Sequence, residues 1–456
     1  MRRLHYSIAT WLVTVSLAVA LFVLLQGRYR FLFLEMGDNV LFRWDASAWW
    51  ETIAQPWGFL RWANDFIVQF FHVPVLGTAL AAVLLSLTAG ATYILLGNVI
   101  PLPLVPLTLI PTALLTVDVL TGSYSFQAVT DYLVVALLCA LLLRRAMPSQ
   151  WSKFRNIGMS TAVKVSVSAA ILLAIVLPFA KILNQRTDLR KQQVFQLSYY
   201  ARNGQWSYIT AACRNMDMGN YMLLNYANLA LSHQGKLLEH WTSYRQDDPQ
   251  ALCLKSDMTP GCMELLSMIH YNTGNIAAAQ DMAFESNQYC ERPETLKMLV
   301  RTNIIFGNYK VAGKYIARLE KTLFHRDWAK GMRKCLSDSA VASDPELSSK
   351  RRGLPRTDAF TLRDRLLDDL VLLLEADPSN KAARDYAIVN LNLGKDARAL
   401  KAFVDKFYGT QVLPMLSNSM QIGLLTASQG DLEYCLSHGV SRTAIEVYEN
   451  QKAREQ

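Results

Sequence analysis

The stretch VPVLGTALAAVLLSLTAGATYILL, residues 73–96, decides the fold class of this chain because it contains no Asp, Glu, Lys or Arg. A helix of roughly 20 apolar residues crosses the hydrocarbon core of a bilayer. Four more segments of similar character occur within the first 183 residues, at 8–25, 99–120, 126–143 and 161–182. One such segment is compatible with a buried helix of a soluble protein. Five together predict an all-α membrane domain over residues 1–183 with about five spans.

The first of these segments is also compatible with a cleaved signal peptide, because it has a basic start and the small-residue run AVA at 18–20. Its apolar stretch continues through residues 21–25, which makes it longer than the apolar region of a signal peptide. We therefore expect the segment to remain in the protein as a membrane anchor.

Positive charge in the short loops predicts the orientation of the spans, since Lys and Arg accumulate on the cytoplasmic side. One basic group precedes the first span and another separates the fourth from the fifth: Arg2, Arg3, Arg144, Arg145, Lys153 and Arg155. Five crossings place both groups on the same side of the membrane. The N-terminus is therefore expected in the cytoplasm, with the loop 26–72 and residues 184–456 on the outer side.

The outer loop 26–72 holds five of the ten tryptophans of the chain. Within 57–71, Arg61, Asp65 and Gln69 recur every four residues, whereas aromatic and aliphatic side chains fill the opposite face. This amphipathic pattern predicts a helix that lies in the membrane interface, with positions 62 and 66 toward lipid. A re-entrant segment and a catalytic loop are the alternatives.

The third span, 99–120, is unusual because it contains four prolines, at positions 101, 103, 106 and 111. Proline removes a backbone donor and clashes with the preceding turn, so a straight helix through Pro106 and Pro111 is not expected. We predict either a kinked, centrally packed segment or a short helix that begins near Pro106.

Two aspartates, Asp118 and Asp131, lie at similar depth near the outer ends of the third and fourth spans, which a short turn joins. They could form an outward-facing acidic site, which is the main support for a transporter hypothesis. Two separate carboxylates in interfacial water are the alternative.

Residues 184–456 have the composition of a water-soluble domain. Lys and Arg number 34 there and Asp and Glu 30, against 12 and 7 in residues 1–183. The net charge of +9 is shared between the two halves, and no basic run is interleaved with aromatic residues. Nucleic-acid binding is therefore not expected.

Glycine-centred turns recur through this half at positions 204, 235, 274, 307, 394 and 430. Most of the spacings are close to the 34-residue period of tetratricopeptide repeats, which are helical hairpins. Clear hairpins are predicted over 263–286 and 296–319, and Pro378 should follow the end of another helix. We predict that the hairpins stack into an α-solenoid. The segment 337–358, rich in Ser, Pro and charge, is predicted to be a mobile loop.

No standard catalytic, nucleotide-binding or metal-binding spacing occurs in the sequence, so no cofactor or metal is predicted. One acidic group stands out in the outer loop, where Glu35 and Asp38 are followed by Asp45 and Glu51. A carboxylate in such a loop can act as a base or hold a divalent cation, as in membrane glycosyltransferases that use lipid-linked sugars. Glu35 and Asp38 are therefore speculative catalytic residues.

Six of the seven cysteines lie in residues 184–456, and no pair has CxxC spacing. If this half lies in an oxidising compartment, disulfides can form there. Cys253 and Cys262 are the favoured pair, because Pro260 and Gly261 allow the chain between them to turn back. The alternative is that these cysteines are small buried hydrophobic residues.

Three stretches resemble a family of uncharacterised integral membrane proteins of Bacteroidota: QPWGFLRWANDFIVQFFHVPVLG at 55–77, NYMLLNYANLALSHQGKL at 220–237 and NIIFGNYKVAGKYIARLEKTLFHRDWA at 303–329. The resemblance implies a Gram-negative inner membrane with the repeats in the periplasm, and it implies no activity. Members of that family are often longer, with more spans, so the chain is expected to be a shortened form.

Three functions are open at this point. The first is a membrane-anchored scaffold whose helical repeats bind a protein partner at the outer face of the inner membrane. The second is a degenerate or complete glycosyltransferase-like enzyme of envelope glycan assembly that uses the acidic outer loop. The third is a component of a transporter.

The predicted topology can be tested with reporter fusions. Alkaline phosphatase fused after residue 456 should be active, because that end is expected in the periplasm, and a green fluorescent protein at the same place should stay dark. A fusion of the same two reporters after residue 150 should give the reverse pattern. Fluorescence from the fusion at residue 456 would show that the span count or the orientation is wrong.

Overall fold

The structure is a computed structural model that describes residues 2–96, 100–146, 159–356 and 365–455. Regular structure in these ranges is helical, apart from one isolated bridge between Tyr408 and Leu413. The predicted all-α class is therefore confirmed. Residue 99, Lys153, Arg155 and the last two positions of the predicted loop 337–358 lie outside the described residues.

The chain folds into two compact units. The N-terminal unit comprises Met1–Tyr199 and Lys321–Leu323, and the C-terminal unit comprises Tyr200–Glu320 and Phe324–Gln456. The change of composition near residue 183 thus precedes the structural boundary by about one helix, because the helix after the last apolar segment belongs mainly to the N-terminal unit.

The described part of the N-terminal unit is built from the helices α1 (Arg2–Leu24), α2 (Arg30–Asp38), α3 (Ala46–Ile53), α4 (Gly58–Val68), α5 (Leu76–Leu96), α6 (Ile110–Val117), α7 (Gln127–Ala146), α8 (Thr161–Arg186) and most of α9 (Leu189–Arg202). Two π-helical turns, Leu25–Tyr29 and Asp118–Gly122, and two 3₁₀ helices, Gln69–His72 and Leu102–Leu109, complete it. The first π-helical turn joins α1 to α2 in one continuous helix.

Four helical stretches are long and apolar enough to cross a membrane, judged by length and composition: Leu12–Asp38, Leu76–Leu96, Leu102–Gly122 and Thr161–Arg186. They correspond to the first, second, third and fifth predicted spans. The fourth predicted span corresponds to α7, whose described apolar stretch, Gln127–Leu142, is shorter than the other four. Four crossings therefore satisfy the length criterion, and the count of five stays a prediction.

The proline-rich segment is not a straight α-helix, as the sequence predicts. Residues Leu102–Leu109 form a 3₁₀ helix around Pro106, and the α-helical part begins at Ile110. Pro111 lies in the first turn of α6. Backbone N–H groups in a first turn have no partner within the helix, so the missing N–H of proline costs no hydrogen bond there. The Ser168 hydroxyl of α8 donates to the Pro103 carbonyl at 3.1 Å, so the irregular backbone finds a partner on a neighbouring helix.

The helices of the N-terminal unit approach each other closely at glycines. A Cβ atom on Gly37 would meet the backbone of Phe71 and His72, and a Cβ on Gly77 would meet the backbone of Phe71. This approach places the Phe71 ring between Phe33 and Phe126, with centroid distances of 5.5 and 5.1 Å and edge-to-face geometry. The Phe71 ring is therefore a central element of the core of this unit.

Buried hydroxyls link the apolar helices. The Thr88 and Thr112 hydroxyls lie 2.6 Å apart between α5 and α6, and the Thr92 and Tyr132 hydroxyls lie 2.6 Å apart between α5 and α7. Such pairs satisfy polar groups that an apolar surrounding leaves without water.

The described part of the C-terminal unit contains the end of α9 and the helices α10 (Trp206–Cys213), α11 (Tyr221–His233), α12 (Leu237–His240), α13 (Pro260–Thr273), α14 (Ile276–Tyr289), α15 (Pro293–Ile305), α16 (Tyr309–Leu319), α17 (Arg326–Arg333), α18 (Asp338–Ser343), α19 (Pro345–Arg352), α20 (Leu366–Ala376), α21 (Lys381–Gly394), α22 (Ala397–Phe407), α23 (Asn418–Ala427), α24 (Leu432–Ser437) and α25 (Arg442–Glu455).

The predicted turn glycines lie at the turns between paired helices. Five of the six, at positions 204, 235, 274, 307 and 430, have positive φ. At the sixth turn Gly394 ends α21 and the next residue, Lys395, takes the left-handed conformation with φ of 50°. The pairs α13–α14 and α15–α16 match the two hairpins predicted over 263–286 and 296–319, and α20 ends at Ala376, before Pro378. The expected hairpins are therefore present.

The packing order of the hairpins departs from a simple stack. Helices α13 to α16 each pack against the next one along the chain, but α21 packs against α11, α12 and α13. The Asn380 amide donates to the Thr273 carbonyl at 2.8 Å, and the Asn275 amide donates to Asp369 at 3.2 Å. The chain thus returns to earlier hairpins instead of extending the row.

The prediction that 337–358 is a loop is wrong for most of its length, because α18 and α19 occupy Asp338–Ser343 and Pro345–Arg352. Ser337 and Asp344 cap the two helices by accepting from the backbone at Ala340 and Leu347. The Arg351 guanidinium donates to the last carbonyls of α15 and so satisfies acceptors that a helix end leaves open. One serine and one aspartate of this segment are therefore helix caps and not loop residues.

The close approach at Gly37 gives a stability prediction. Gly37→Ala should lower the free energy of unfolding of the detergent-solubilised chain by about 1–3 kcal/mol, because the added methyl group meets backbone that cannot move aside. Gly27→Ala is the matched control, because a Cβ there meets no atom within 4 Å. Thermal unfolding followed by circular dichroism should show a lower midpoint for Gly37→Ala alone. Equal midpoints for both variants would contradict the packing.

Candidate functional site

The four acidic residues that the sequence singles out in the outer loop, Glu35, Asp38, Asp45 and Glu51, have different partners in the structure. Asp38 pairs with the His72 ring nitrogen Nδ1, and Glu35 is buried one helical turn before it on α2. Asp45 instead caps α3 by accepting from the Ala48 backbone at 2.6 Å. Glu51 forms an exposed ion pair with Arg43 at 2.6 Å. The structure thus brings Glu35 and Asp38 together and adds His72, which the sequence pattern did not single out.

Asp118 and Asp131 have separate partners. The Ser123 hydroxyl donates to Asp118 at 2.8 Å, and the Gln127 amide donates to Asp131 at 2.6 Å. Neither bond is shared between the two carboxylates in the described part of the chain. Among the described residues, moreover, no three His, Cys, Asp or Glu side chains are grouped as metal ligands would be.

The aromatic side chains of the outer loop pack differently from the prediction. Trp62 and Phe66 stack at 5.6 Å and also contact the buried Phe42 ring, so the face expected toward lipid is covered in part by the protein itself. The most exposed aromatic residues are instead at the turn between α3 and α4, where Trp57 is 81% exposed. The helix itself is present as α4, as predicted.

Cys253 and Cys262 belong to one small apolar cluster with Leu254, Met263 and Leu266. Both are free thiols in the structure. Burial raises the pKa of Cys253 to about 12 and that of Cys262 to about 11, which leaves little reactive thiolate at neutral pH. Their proximity fits the expected pair, and the disulfide itself stays a prediction.

The C-terminal unit contains a small cavity of about 140 Å³ whose wall is rich in charged and aromatic side chains. We call it the charged cavity. Helices α9, α10, α11, α13, α14, α15 and α19 supply its lining: Ala201, Arg202, Trp206, His233, Glu264, Ser267, Met268, Tyr271, Ala283, Glu294, Thr295, Lys297, Met298, Arg301 and Glu346.

One wall of the charged cavity is an ionic network around Glu264. The Arg202 guanidinium lies 3.4 Å from Glu264 Oε1, and the Arg292 guanidinium lies 3.4 Å from Glu264 Oε2. Arg202 and Glu264 are 3% and 7% exposed. Removing a charge from water costs several kcal/mol per ion, so these side chains can remain buried only because they are paired.

Glu294 and Lys297 form a second pair on α15, with 2.5 Å between Oε1 and Nζ. Burial raises the pKa of Glu294, but Lys297, His325 and Arg202 together lower it by more, so that the pKa of the carboxyl lies below its ordinary value. The Glu294 carboxyl is therefore ionised at neutral pH.

Tyr271 lies at the centre of the opposite wall. Its hydroxyl donates to Glu346 Oε1 at 2.6 Å, and the Lys350 ammonium lies 5.4 Å from the centre of its ring. Lys350 also donates to the Asn272 carbonyl at 2.7 Å. Burial lowers the pKa of Lys350 to about 8, although Glu346 acts in the opposite direction. Helix α19 thus fixes this wall through two charged side chains.

Arg301 lies between two aromatic rings. Its guanidinium carbon is 5.9 Å from the centre of the Tyr271 ring and 5.8 Å from that of Trp328. Farther along the lining the Trp206 and His233 rings are stacked, with centroids 3.9 Å apart and planes within 5°. Burial and the nearby Lys350 lower the pKa of His233 to about 4, so this ring is neutral at pH 7.

No pattern in the sequence identifies the charged cavity as a site. Its charged residues come from four separate helices, and their spacing along the chain matches no motif. Only the pairing of Glu294 with Lys297, three residues apart on α15, could have been predicted from helical geometry.

The chain matches the Family of unknown function (DUF6057) over residues 4–186 and 154–453, and it belongs to that family. The match to a family without known function agrees with the resemblance seen in the sequence. No curated protein and no solved structure matches the chain.

The ionic network around Glu264 gives a second stability prediction. Glu264→Gln should lower the free energy of unfolding by about 3 kcal/mol, because it removes the carboxylate charge that the buried Arg202 and the mostly buried Arg292 share. Glu239→Gln, at a glutamate that is 74% exposed, should change it by less than about 0.5 kcal/mol. Denaturant unfolding of the full chain in detergent measures both. A loss of similar size in the two variants would show that the network does not stabilise the fold.

Proposed function

We propose that this protein is a membrane-anchored, helical-repeat scaffold that binds a protein partner. The N-terminal unit is the anchor, crossing the inner membrane several times with its N-terminus in the cytoplasm. Four long apolar helices support the anchor. Helix α8 in addition exposes large aliphatic side chains, among them Val165, Leu173 and Leu177. Contact of such an apolar surface with water is unfavourable, whereas contact with lipid is favourable.

The C-terminal unit is the binding domain in this proposal, a set of hairpins of the tetratricopeptide type in the periplasm. Its left-handed glycines at the hairpin turns and the antiparallel pairs α13–α14 and α15–α16 support that type of repeat. The resemblance to uncharacterised integral membrane proteins of Bacteroidota and the basic residues next to the first span support the compartment.

The observation that carries the binding function is the charged cavity. Pockets that hold drug-sized molecules have volumes of roughly 300–1,000 Å³, whereas this cavity has about 140 Å³. It is therefore suited to one side chain or one chain end of a larger partner. Its lining is fixed by ion pairs and ring contacts, which reduces the entropy lost when a partner binds.

A glycosyltransferase-like reaction in the outer loop is the second candidate, and the pairing of the buried Asp38 with the partly exposed His72 favours it. A carboxylate that orients a histidine is a common arrangement for a general base. The scaffold remains the better supported proposal, because Asp45 caps a helix and Glu51 forms an ion pair with Arg43.

Site-specific photo-cross-linking tests the scaffold. Benzoylphenylalanine placed at position 268, in the lining of the charged cavity, should yield a discrete protein adduct in cells, which mass spectrometry of the purified membrane fraction identifies. The same residue at position 289, where the native Tyr289 is exposed at the end of α14 and is not in the lining, is the control. Absence of an adduct from position 268, or the same adduct from both positions, would overturn the proposal.

A further inference from the structure

Arg301 differs from the other arginines around the charged cavity. Arg202 and Arg292 each bond Glu264, whereas the guanidinium of Arg301 has ring contacts only, to Tyr271 and Trp328, among the described residues. The faces of a guanidinium stack on rings, while its N–H groups point outward in the plane. Two rings therefore hold Arg301 in place and leave its N–H donors for a ligand.

The charges of the cavity favour an anion as that ligand. The lining carries three cationic side chains and three carboxylates: Arg202, Lys297 and Arg301, and Glu264, Glu294 and Glu346. Glu264 and Glu294 are ion-paired, and Glu346 accepts from Tyr271. Arg202 and Lys297 are paired with carboxylates, so among the described residues Arg301 is the cation of the lining that has ring contacts and no carboxylate partner.

The form of the cavity narrows the class of anion. The planar fork of a guanidinium matches the two oxygens of a carboxylate in a bidentate pair. Met268, Met298 and Ala283 line the same cavity and offer apolar surface beside the charged groups. A ligand that combines a carboxylate with a short aliphatic part fits both features within about 140 Å³.

We propose that Arg301 binds a carboxylate of the protein partner, either its C-terminal carboxylate or an acidic side chain, with Tyr271 and Trp328 holding the guanidinium. This assignment rests on the proposed scaffold function and names the chemical group that the scaffold recognises. Arg301 is the binding residue, and the two aromatic rings are positioning residues.

Short peptides test the chemistry directly. Binding of acetyl-Ala-Leu with a free carboxylate, of its C-terminal amide, and of acetyl-Ala-Asp-Leu amide to the full chain in detergent can be followed by saturation-transfer NMR. We expect one of the two carboxylate peptides to bind at least tenfold more tightly than the neutral amide, and which of the two does so identifies the source of the carboxylate. Equal binding of all three, or stronger competition by inorganic phosphate, would overturn the assignment.

Variants connect the binding to Arg301. Arg301→Gln should weaken binding of the carboxylate peptide at least tenfold, and Arg301→Lys, which keeps the charge but loses the fork, should weaken it by a smaller factor. Arg214→Gln, at an exposed arginine outside the charged cavity, should leave it unchanged. Binding is measured only for variants whose unfolding midpoint equals that of the parent chain. If Arg301→Gln does not fold, Arg301→Lys decides the outcome. Unchanged binding in a folded Arg301 variant would contradict the proposal.

The cross-link from position 268 separates this proposal from the scaffold itself. Loss of the adduct in the Arg301→Gln background supports the carboxylate site. An adduct that persists in this background refutes the role of Arg301 while the scaffold stands. No adduct in the parent chain refutes the scaffold function.

Discussion

Inside a bilayer no water is present to bond a free backbone N–H or C=O group, so a chain that crosses one must close these bonds within its own helices or against neighbouring ones. The N-terminal unit meets this constraint even where its helices are interrupted. Prolines prevent α-helical bonding around Pro106, and a 3₁₀ helix replaces it. The Pro103 carbonyl accepts from Ser168, and threonine hydroxyls pair across α5, α6 and α7. Such bonds are what a bilayer would require of the four long apolar helices of this unit.

The features that the sequence could predict depend on local patterns. Apolar runs located four long helices, and glycine turns located the hairpins, because each signal lies within a few consecutive residues. Features that depend on distant contacts could not be predicted in this way. The composition of 337–358 predicts a loop, whereas Ser337 and Asp344 cap the helices α18 and α19 that occupy most of it. Trp62 and Phe66 were expected toward lipid, although Phe42 provides an internal partner.

The charged cavity shows the same limit. Arg202, Glu264 and Arg292 are separated by tens of residues, and each alone resembles an ordinary surface charge of a helix. They stabilise the fold as a network only because they are buried, where an unpaired charge is costly. Their burial depends on how the hairpins pack, which the sequence does not predict. The polar residues of such a network also restrict how the helices can pack, because other arrangements would leave buried polar groups without partners.

The return of α21 onto α11, α12 and α13 affects how the C-terminal unit folds. In a one-dimensional array each repeat contacts only its neighbours, so folding can start anywhere and spread, and repeats can be removed from an end. Here helices more than 100 residues apart in the chain share hydrogen bonds, as between Asn380 and Thr273. Contacts so distant in sequence require a large loop to close before they form, which slows folding. The early hairpins are thereby tied to α21, and removing that helix would expose the surfaces of α11, α12 and α13 that it covers.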